Sequence, residues 1–263
     1  MGHAAIDRSD RRAIPAAFLG LTLAVGVGLF LPRALFPGMS DAARLAVYLV
    51  VPLGIVAGAL RLTHGLALRD LPGEVGLDRS ALGGIAWAFL LTSPILLGFL
   101  LLREGVFFEE DGLVVMRERP LAVLRGWAGA GLVEETIFRG YFFAQLVRRG
   151  GWPVGRAILV TGVLFGLLHV PAAWGKPTAE VIGAAVVTGA GGAGLCWFFA
   201  RWNWNLGFVI GWHAFVNLFW TLGQAGDAVG SSSAGALRLG VIVLTVVVTL
   251  RRFPVPEPNA PSR

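Results

Sequence analysis

The chain has 263 residues, of which 56% are hydrophobic and 14% are charged. An ordinary soluble domain is about 45–50% apolar and about 25% charged, so the composition excludes that class. The net charge is +6, but the basic residues fall between apolar runs, so nucleic acid is not an expected partner. Cys196 is the single cysteine, which excludes an intrachain disulfide framework and a multi-cysteine metal site.

Apolar segments recur through the chain at about the length that a bilayer core requires, which is about 20 residues per helix. The sequence therefore predicts an all-α polytopic membrane protein with about eight transmembrane helices in one bundle. The predicted spans are, in chain order, Ile14 to Leu31, Ala43 to Leu60, Leu82 to Leu102, Trp127 to Val147, Ala157 to Val170, Val181 to Ala200, Leu206 to Leu222 and Leu237 to Leu250. The Pro-rich residues 254–263 are expected to be disordered.

The distribution of basic residues predicts the orientation. If the N-terminus is cytoplasmic, thirteen basic residues fall on the cytoplasmic side and eight on the other, with Arg139 inside a span and excluded. Cytoplasmic loops of membrane proteins carry the excess of Arg and Lys. We therefore expect a bacterial-type inner membrane protein, surrounded by the lipid bilayer, with both termini cytoplasmic.

A run of small residues, Gly189 to Gly194, superficially resembles a phosphate-binding loop. It lies inside an apolar segment and lacks a preceding strand and a Lys-Ser/Thr pair, so the context of that motif is missing. Close helix packing through Ala185, Gly189 and Ala193 is the better interpretation.

Charged residues inside the fourth predicted span point to a function. A charged side chain at bilayer depth costs about 2.5–3.5 kcal/mol on insertion scales, so it needs a partner, a water-filled cavity or a task. Glu135 and Arg139 are four residues apart on one helix face and can form an ion pair. Glu134 points about a hundred degrees away and can address a cavity. A buried ion pair that only orders the bundle is the alternative interpretation of Glu135 and Arg139.

Two histidines lie in later predicted spans. His169 follows Phe165 by four residues near the end of its span, and His213 and Asn217 are one turn apart on the same helix face. A single such histidine is more often a packing residue. Together with Glu134, these side chains indicate a proton-transfer and oxyanion site in a membrane, and hence hydrolysis.

The ordered motifs EETIFR, FGLLH and HAFVN resemble the EExxxR, FxxxH and HxxxN signatures of the CPBP family, the CaaX-protease and bacteriocin-processing intramembrane proteases. The resemblance covers about Trp127 to Leu222. It implies an eight-helix fold and intramembrane glutamic endopeptidase activity, in which Glu134 assisted by His169 activates a water. His213 and Asn217 would then hold the oxyanion.

The resemblance also implies supporting roles for Glu135, Arg139 and Phe165, the first two bracing the helix and tuning the catalytic carboxylate. It divides the chain into residues 1–126 with N-terminal helices and a long loop, a catalytic core over 127–222, and a last helix and tail over 223–263.

Zinc is the alternative to a cofactor-free site. Glu134, His169 and His213 would supply three zinc ligands and leave a fourth position for water. The sequence lacks HExxH, and Asn217 is a poor zinc ligand but a good oxyanion donor. These points favour a metal-free mechanism with no cofactor.

The expected substrate is a membrane-anchored or exported protein or peptide. In the predicted orientation the site opens outward, which favours a C-terminal segment or leader of an exported protein, as in the myxosortase-type branch. A non-catalytic membrane protein, either a peptide-binding immunity protein or a proton-coupled transporter, is the alternative function. A transporter should show an internal repeat with matched broken helices, and the sequence halves show none.

Overall fold

The computed structural model describes residues 12–102, 117–118, 120–173, 175–222 and 232–253. Every regular element among these residues is helical. This confirms the predicted all-α class.

The long helices of the described residues follow in chain order. They are α1, which runs as an α-helix over Ala13–Val25, a π-helical turn over Gly26–Phe30 and an α-helical end over Leu31–Leu35; α2, Asp41–His64; α3, Ala81–Leu102; α4, whose successive pieces are Pro120–Leu124, Arg125–Gly129, Ala130–Glu135, Thr136–Phe143 and Gln145–Arg149; α5, Val154–Leu167; α6, Thr178–Arg201; α7, Leu206–Leu222; and α8, Ser232–Arg252. Helical turns over Leu68–Asp70 and Leu71–Glu74 connect α2 to α3, and another over Val170–Ala173 follows α5.

Four stretches of the described helices are long and apolar enough to cross a membrane: Ala13–Phe30, Asp41–His64, Ala81–Gly98 and Thr178–Arg201. Two further apolar helices, Val154–Leu167 and Leu206–Trp220, are shorter. These features are those of an integral membrane protein. The count of eight spans stays a prediction.

Near the site, two helix bounds differ from those of the predicted spans. The fourth helix already includes Pro120, seven residues before the predicted Trp127. The fifth helix ends at Leu167, so His169 lies in the turn after the helix. Pro171 has no N–H to continue the helical ladder, which explains the earlier end. Residues 103–116, where the predicted long loop begins, and residues 254–263, the predicted disordered tail, lie outside the described residues.

The core forms around α4, where Ile137, Phe142 and Phe143 are fully buried. The small residues of α5 and α6 let these two helices pack closely. A Cβ added at Gly162 would lie 2.9 Å from both the Ala193 Cβ and the Gly189 carbonyl oxygen. The predicted packing role of the small residues in α6 is therefore confirmed, since the contact requires glycine.

One end of the bundle is held by polar contacts between connections and helix ends. The Asn205 side chain accepts a hydrogen bond from the Phe208 N–H (3.0 Å) and donates to the Ser80 carbonyl (2.9 Å). Arg149 pairs with Glu74 at 3.2 Å. These contacts fix the connection between α2 and α3 beneath α4 and α7. The predicted site residues of α4 and α5 lie toward the opposite end.

Candidate active site

Helix α4 presents its two adjacent carboxylates to different surroundings. The piece Ala130–Glu135 is flanked by π-helical pieces on both sides, a feature frequent at functional sites. Glu135 is fully buried, whereas Glu134 is partly buried and lines a cavity. The two side chains therefore face different surroundings, as their positions on one helix predict.

Glu135 forms the ion pair expected from its spacing with Arg139. Arg139 Nη1 donates to Glu135 Oε1 at 2.9 Å, and both side chains are completely buried. Arg139 Nη2 also donates to the Gly192 carbonyl of α6 at 2.9 Å, and its guanidinium lies 4.5 Å from the centre of the Phe165 ring. The arginine thus connects α4 to both α5 and α6.

His213 contacts the same glutamate. Its Nδ1 lies 2.7 Å from Glu135 Oε1, the oxygen that also accepts from Arg139. An ionised carboxylate only accepts hydrogen bonds, so the geometry assigns the proton to Nδ1. In the neutral imidazole Nε2 is then an acceptor, and it donates only when His213 is positively charged.

Glu134 and His169 line one cavity of about 310 Å³. Apart from these two residues, the lining comes from α1, α2, α4 and the residues that follow α5: Val25, Leu29, Phe30, Tyr48, Phe138, Leu168 and Pro171. The Tyr48 hydroxyl donates a hydrogen bond to Glu134 Oε1 at 3.3 Å. Glu134 therefore has a hydrogen-bond partner on α2 as well as a face on the cavity.

His169 is held by a backbone contact at the end of α5. Its Nδ1 lies 2.7 Å from the Phe165 carbonyl oxygen, and its ring centre is 4.6 Å from that of Phe165. A carbonyl oxygen only accepts, so Nδ1 donates and Nε2 keeps its lone pair. In this tautomer His169 can accept a proton or a hydrogen bond from a water.

The structure groups the predicted site residues into two neighbouring sets. Glu134 and His169 share the cavity, and His213 joins Glu135. Asn217 lies one turn after His213 on α7 and is partly buried. Among the described residues, the cavity lining includes neither His213 nor Asn217.

Tyr48 is the site residue that the motifs miss. Its hydroxyl is an uncommon polar group in an apolar span, since the chain has two tyrosines. The rarity of tyrosine in this chain was the sequence signal that could have identified Tyr48. The position of Tyr48 within α2 does not predict that its partner lies on α4.

The zinc alternative needs three ligands at one point. Among the residues that the structure describes, no group of three His, Cys, Asp or Glu side chains is arranged to hold a metal ion. The absence of a cofactor stays a prediction, and chelation tests it directly.

The comparisons with known proteins bear on the segment that contains these motifs. Residues 117–219 match the family model described as Rce1-like, type II CAAX prenyl endopeptidase Rce1-like. The match confirms the resemblance to the CPBP family. This Rce1-like segment includes Glu134, His169, His213 and Asn217, and it indicates an intramembrane protease. No curated protein and no solved structure matches the chain.

Proposed function

We propose that the protein is an intramembrane endopeptidase that hydrolyses a peptide bond in a membrane-associated protein or peptide. The observation that supports this function best is the cavity shared by Glu134 and His169 in an apolar helical bundle. Burial of the neighbouring Glu135 against Arg139 leaves Glu134 as the carboxylate that meets the cavity. A carboxylate and a histidine with a free nitrogen are the groups that activation of a water requires.

In the first step Glu134 takes a proton from a water while the water oxygen bonds to the carbonyl carbon of the substrate. Nε2 of His169 accepts the second water proton as a hydrogen bond and orients the nucleophile. In the second step the C–N bond breaks, and the proton held by Glu134 passes to the leaving amine. The new carboxylic acid then gives the second water proton to the amine, so the products are a carboxylate and an ammonium group, and no redox partner is needed.

The oxyanion that forms between the two steps needs donors. The Asn217 amide can donate directly, whereas His213 can donate through Nε2 only as an imidazolium, because its Nδ1 proton is used by Glu135. A charged donor in a site that excludes water is effective at this task. Glu135 would thus serve as the counter-ion of His213 as well as the partner of Arg139.

Substitution of the base tests the proposed function. Glu134→Gln keeps the side-chain shape and removes the base, so it should abolish cleavage while the protein stays folded and inserted. Glu180→Gln is a matched control, since Glu180 is an exposed residue in the first turn of α6. Mass spectrometry of membrane protein termini from cells carrying each variant measures the outcome. Identical termini in the wild type and the Glu134 variant at equal expression would overturn the proposal and favour a non-catalytic protein.

The substrate side follows from the orientation. We propose that both termini lie in the cytoplasm of a bacterial-type cell, so that the site opens outward and serves a membrane-anchored or exported protein. Single cysteines at Lys176 and Arg69, in a Cys196→Ala background, test this arrangement with an impermeant thiol reagent. Both positions are exposed. Position 176 should react from outside and position 69 only after permeabilisation; the reverse pattern would reject the outward site.

A further inference from the structure

Tyr48 contacts the proposed base from outside the segment that matches the protease family. It lies on α2, is 8% exposed and donates its hydroxyl hydrogen to Glu134 Oε1. The family match begins only at residue 117. We propose that Tyr48 is a positioning residue that fixes the orientation of the Glu134 carboxylate in the cavity and leaves one carboxylate oxygen for the water. The inference rests on the proposed function, because it gives Tyr48 its task through Glu134.

The Tyr48 ring packs against α4, and the helix that carries it has a fixed start. On α4, a Cβ built at Gly129 would lie 3.5 Å from Tyr48 Cε1, so the ring packs directly over this glycine. On its own helix, the start of α2 is fixed by Ser40, whose hydroxyl oxygen accepts from the Ala43 N–H at 3.3 Å. Arg44 Nε donates to the Met39 carbonyl at 2.9 Å. A ring that packs on α4 and is carried by a helix with a fixed start is suited to direct its hydroxyl at one carboxylate oxygen.

The chemistry of a phenol next to a carboxylate sets the expected effect. An ionised carboxylate accepts only, so Tyr48 must be the donor. A hydrogen bond to the charged form favours that form over the neutral acid. Because the bond uses Oε1 of Glu134, Oε2 is left for the water proton. Loss of the hydroxyl should therefore release the carboxylate rotamer and make the side chain keep its proton to higher pH.

A labelling experiment tests this contact without any substrate. The hydrophobic reagent N,N′-dicyclohexylcarbodiimide modifies protonated carboxyl groups, and mass spectrometry of the purified full chain in lipid nanodiscs quantifies modification of Glu134 at each pH. In Tyr48→Phe, the pH of half-maximal labelling should rise by roughly half a unit, less than for a short charge-assisted hydrogen bond because the two oxygen atoms are 3.3 Å apart. Labelling curves of the variant and the wild type that coincide, including an absence of labelling in both, would overturn the inference.

The second tyrosine supplies the matched control. Tyr141 is buried on α4, and its hydroxyl donates to the Ala16 carbonyl at 2.9 Å. Tyr141→Phe removes a hydrogen bond of the same kind without touching Glu134. It should leave the labelling curve at the wild-type position, whereas an equal shift in both variants would show a general loosening of the bundle and reject the role of Tyr48.

Cleavage kinetics give the second measurement. With a peptide identified from the terminus analysis, Tyr48→Phe should lower kcat roughly 10-fold and leave KM near the wild-type value. The acid limb of its pH–rate profile should move to higher pH, since less of Glu134 is ionised at a given pH. A purely structural role would lower activity at all pH values without moving that limb.

The two measurements together separate the inference from the proposed function. If the labelling curve shifts in a protein that cleaves no peptide, the proposed function fails and the role of the Tyr48 contact stands. If cleavage requires Glu134 but neither the labelling curve nor the pH–rate profile moves, only the inference fails.

Discussion

Removal of Arg139 should be among the most destabilising single changes in this protein. The side chain is completely buried and makes two hydrogen bonds of 2.9 Å, one to the Glu135 carboxylate and one to the Gly192 carbonyl. Arg139→Met fills a similar volume but leaves the carboxylate without its main cationic partner. Breaking a buried pair in this way costs about 3–5 kcal/mol of the free energy of unfolding.

Two further variants separate the parts of that cost. Arg139→Lys keeps the charge but cannot reach both oxygen atoms with a planar fork, so it should lose one bond, about 1–3 kcal/mol. The double variant Glu135→Gln and Arg139→Met removes both charges. It should recover about 1–3 kcal/mol relative to Arg139→Met alone, because no uncompensated carboxylate remains.

Reversible unfolding in mixed detergent micelles, followed by circular dichroism, gives the free energies for all variants. Arg69→Met is the control, since this arginine side chain is 88% exposed and its loss should change stability by about 0.5 kcal/mol or less. If the free energy of unfolding of Arg139→Met lies within about 1 kcal/mol of the wild-type value, the buried pair does not stabilise the bundle. The same conclusion follows if the double variant is less stable than Arg139→Met by the full cost of a second lost contact.

Three other outcomes follow from the structure. Gly192→Ala should lower the free energy of unfolding by about 1–3 kcal/mol, because the new Cβ would lie 2.8 Å from Phe165 Cδ1. A Cβ at Gly191 meets open space, so Gly191→Ala should be neutral or stabilising. Equal melting temperatures for the two variants would contradict this. Peptide cleavage should survive exhaustive chelation and dialysis, and loss of activity that zinc restores would show the metal-dependent alternative instead. Hydrogen bonds from the Ser80 hydroxyl and backbone lower the pKa of Asp78, so this contact stabilises the fold above the ordinary pKa of an aspartate and is lost as the pH falls through the lowered pKa. The stability difference between Ser80→Ala and the wild type should therefore narrow in acid. A constant difference in melting temperature from pH 7 to pH 3 would contradict this.

The contacts that sequence reasoning could predict are those within one helix. Glu135 and Arg139 pair because residues four apart share a helix face, and the same geometry turns Glu134 away from them. The contact between Tyr48 and Glu134 joins residues that are 86 positions apart. No periodicity encodes which two helices meet there, so the hydrogen bond becomes visible only in the fold.

The end of α5 shows a different limit of the sequence. Hydropathy continues through Leu168 to Val170, which predicts a longer span, but the backbone leaves the helix at Leu167. The missing N–H of Pro171 explains the early end in hindsight. The consequence for the site is specific: His169 stands in a turn at the cavity edge, where its Nδ1 bonds to the Phe165 carbonyl and its Nε2 is left to act as an acceptor.

The two histidines differ in the partner of Nδ1, and this partner decides what the other ring nitrogen, Nε2, can do. His169 donates to an uncharged carbonyl, so in the neutral ring its other nitrogen is an acceptor, whereas His213 donates to a carboxylate, which can serve as the counter-ion of a positive ring with two donor nitrogens. A water-activating site needs one acceptor, and an oxyanion needs a donor. Glu135 is therefore more than a brace in the proposed mechanism. It is the charge that would let His213 donate where His169 accepts, and it is held in place by the hydrogen bond from Arg139.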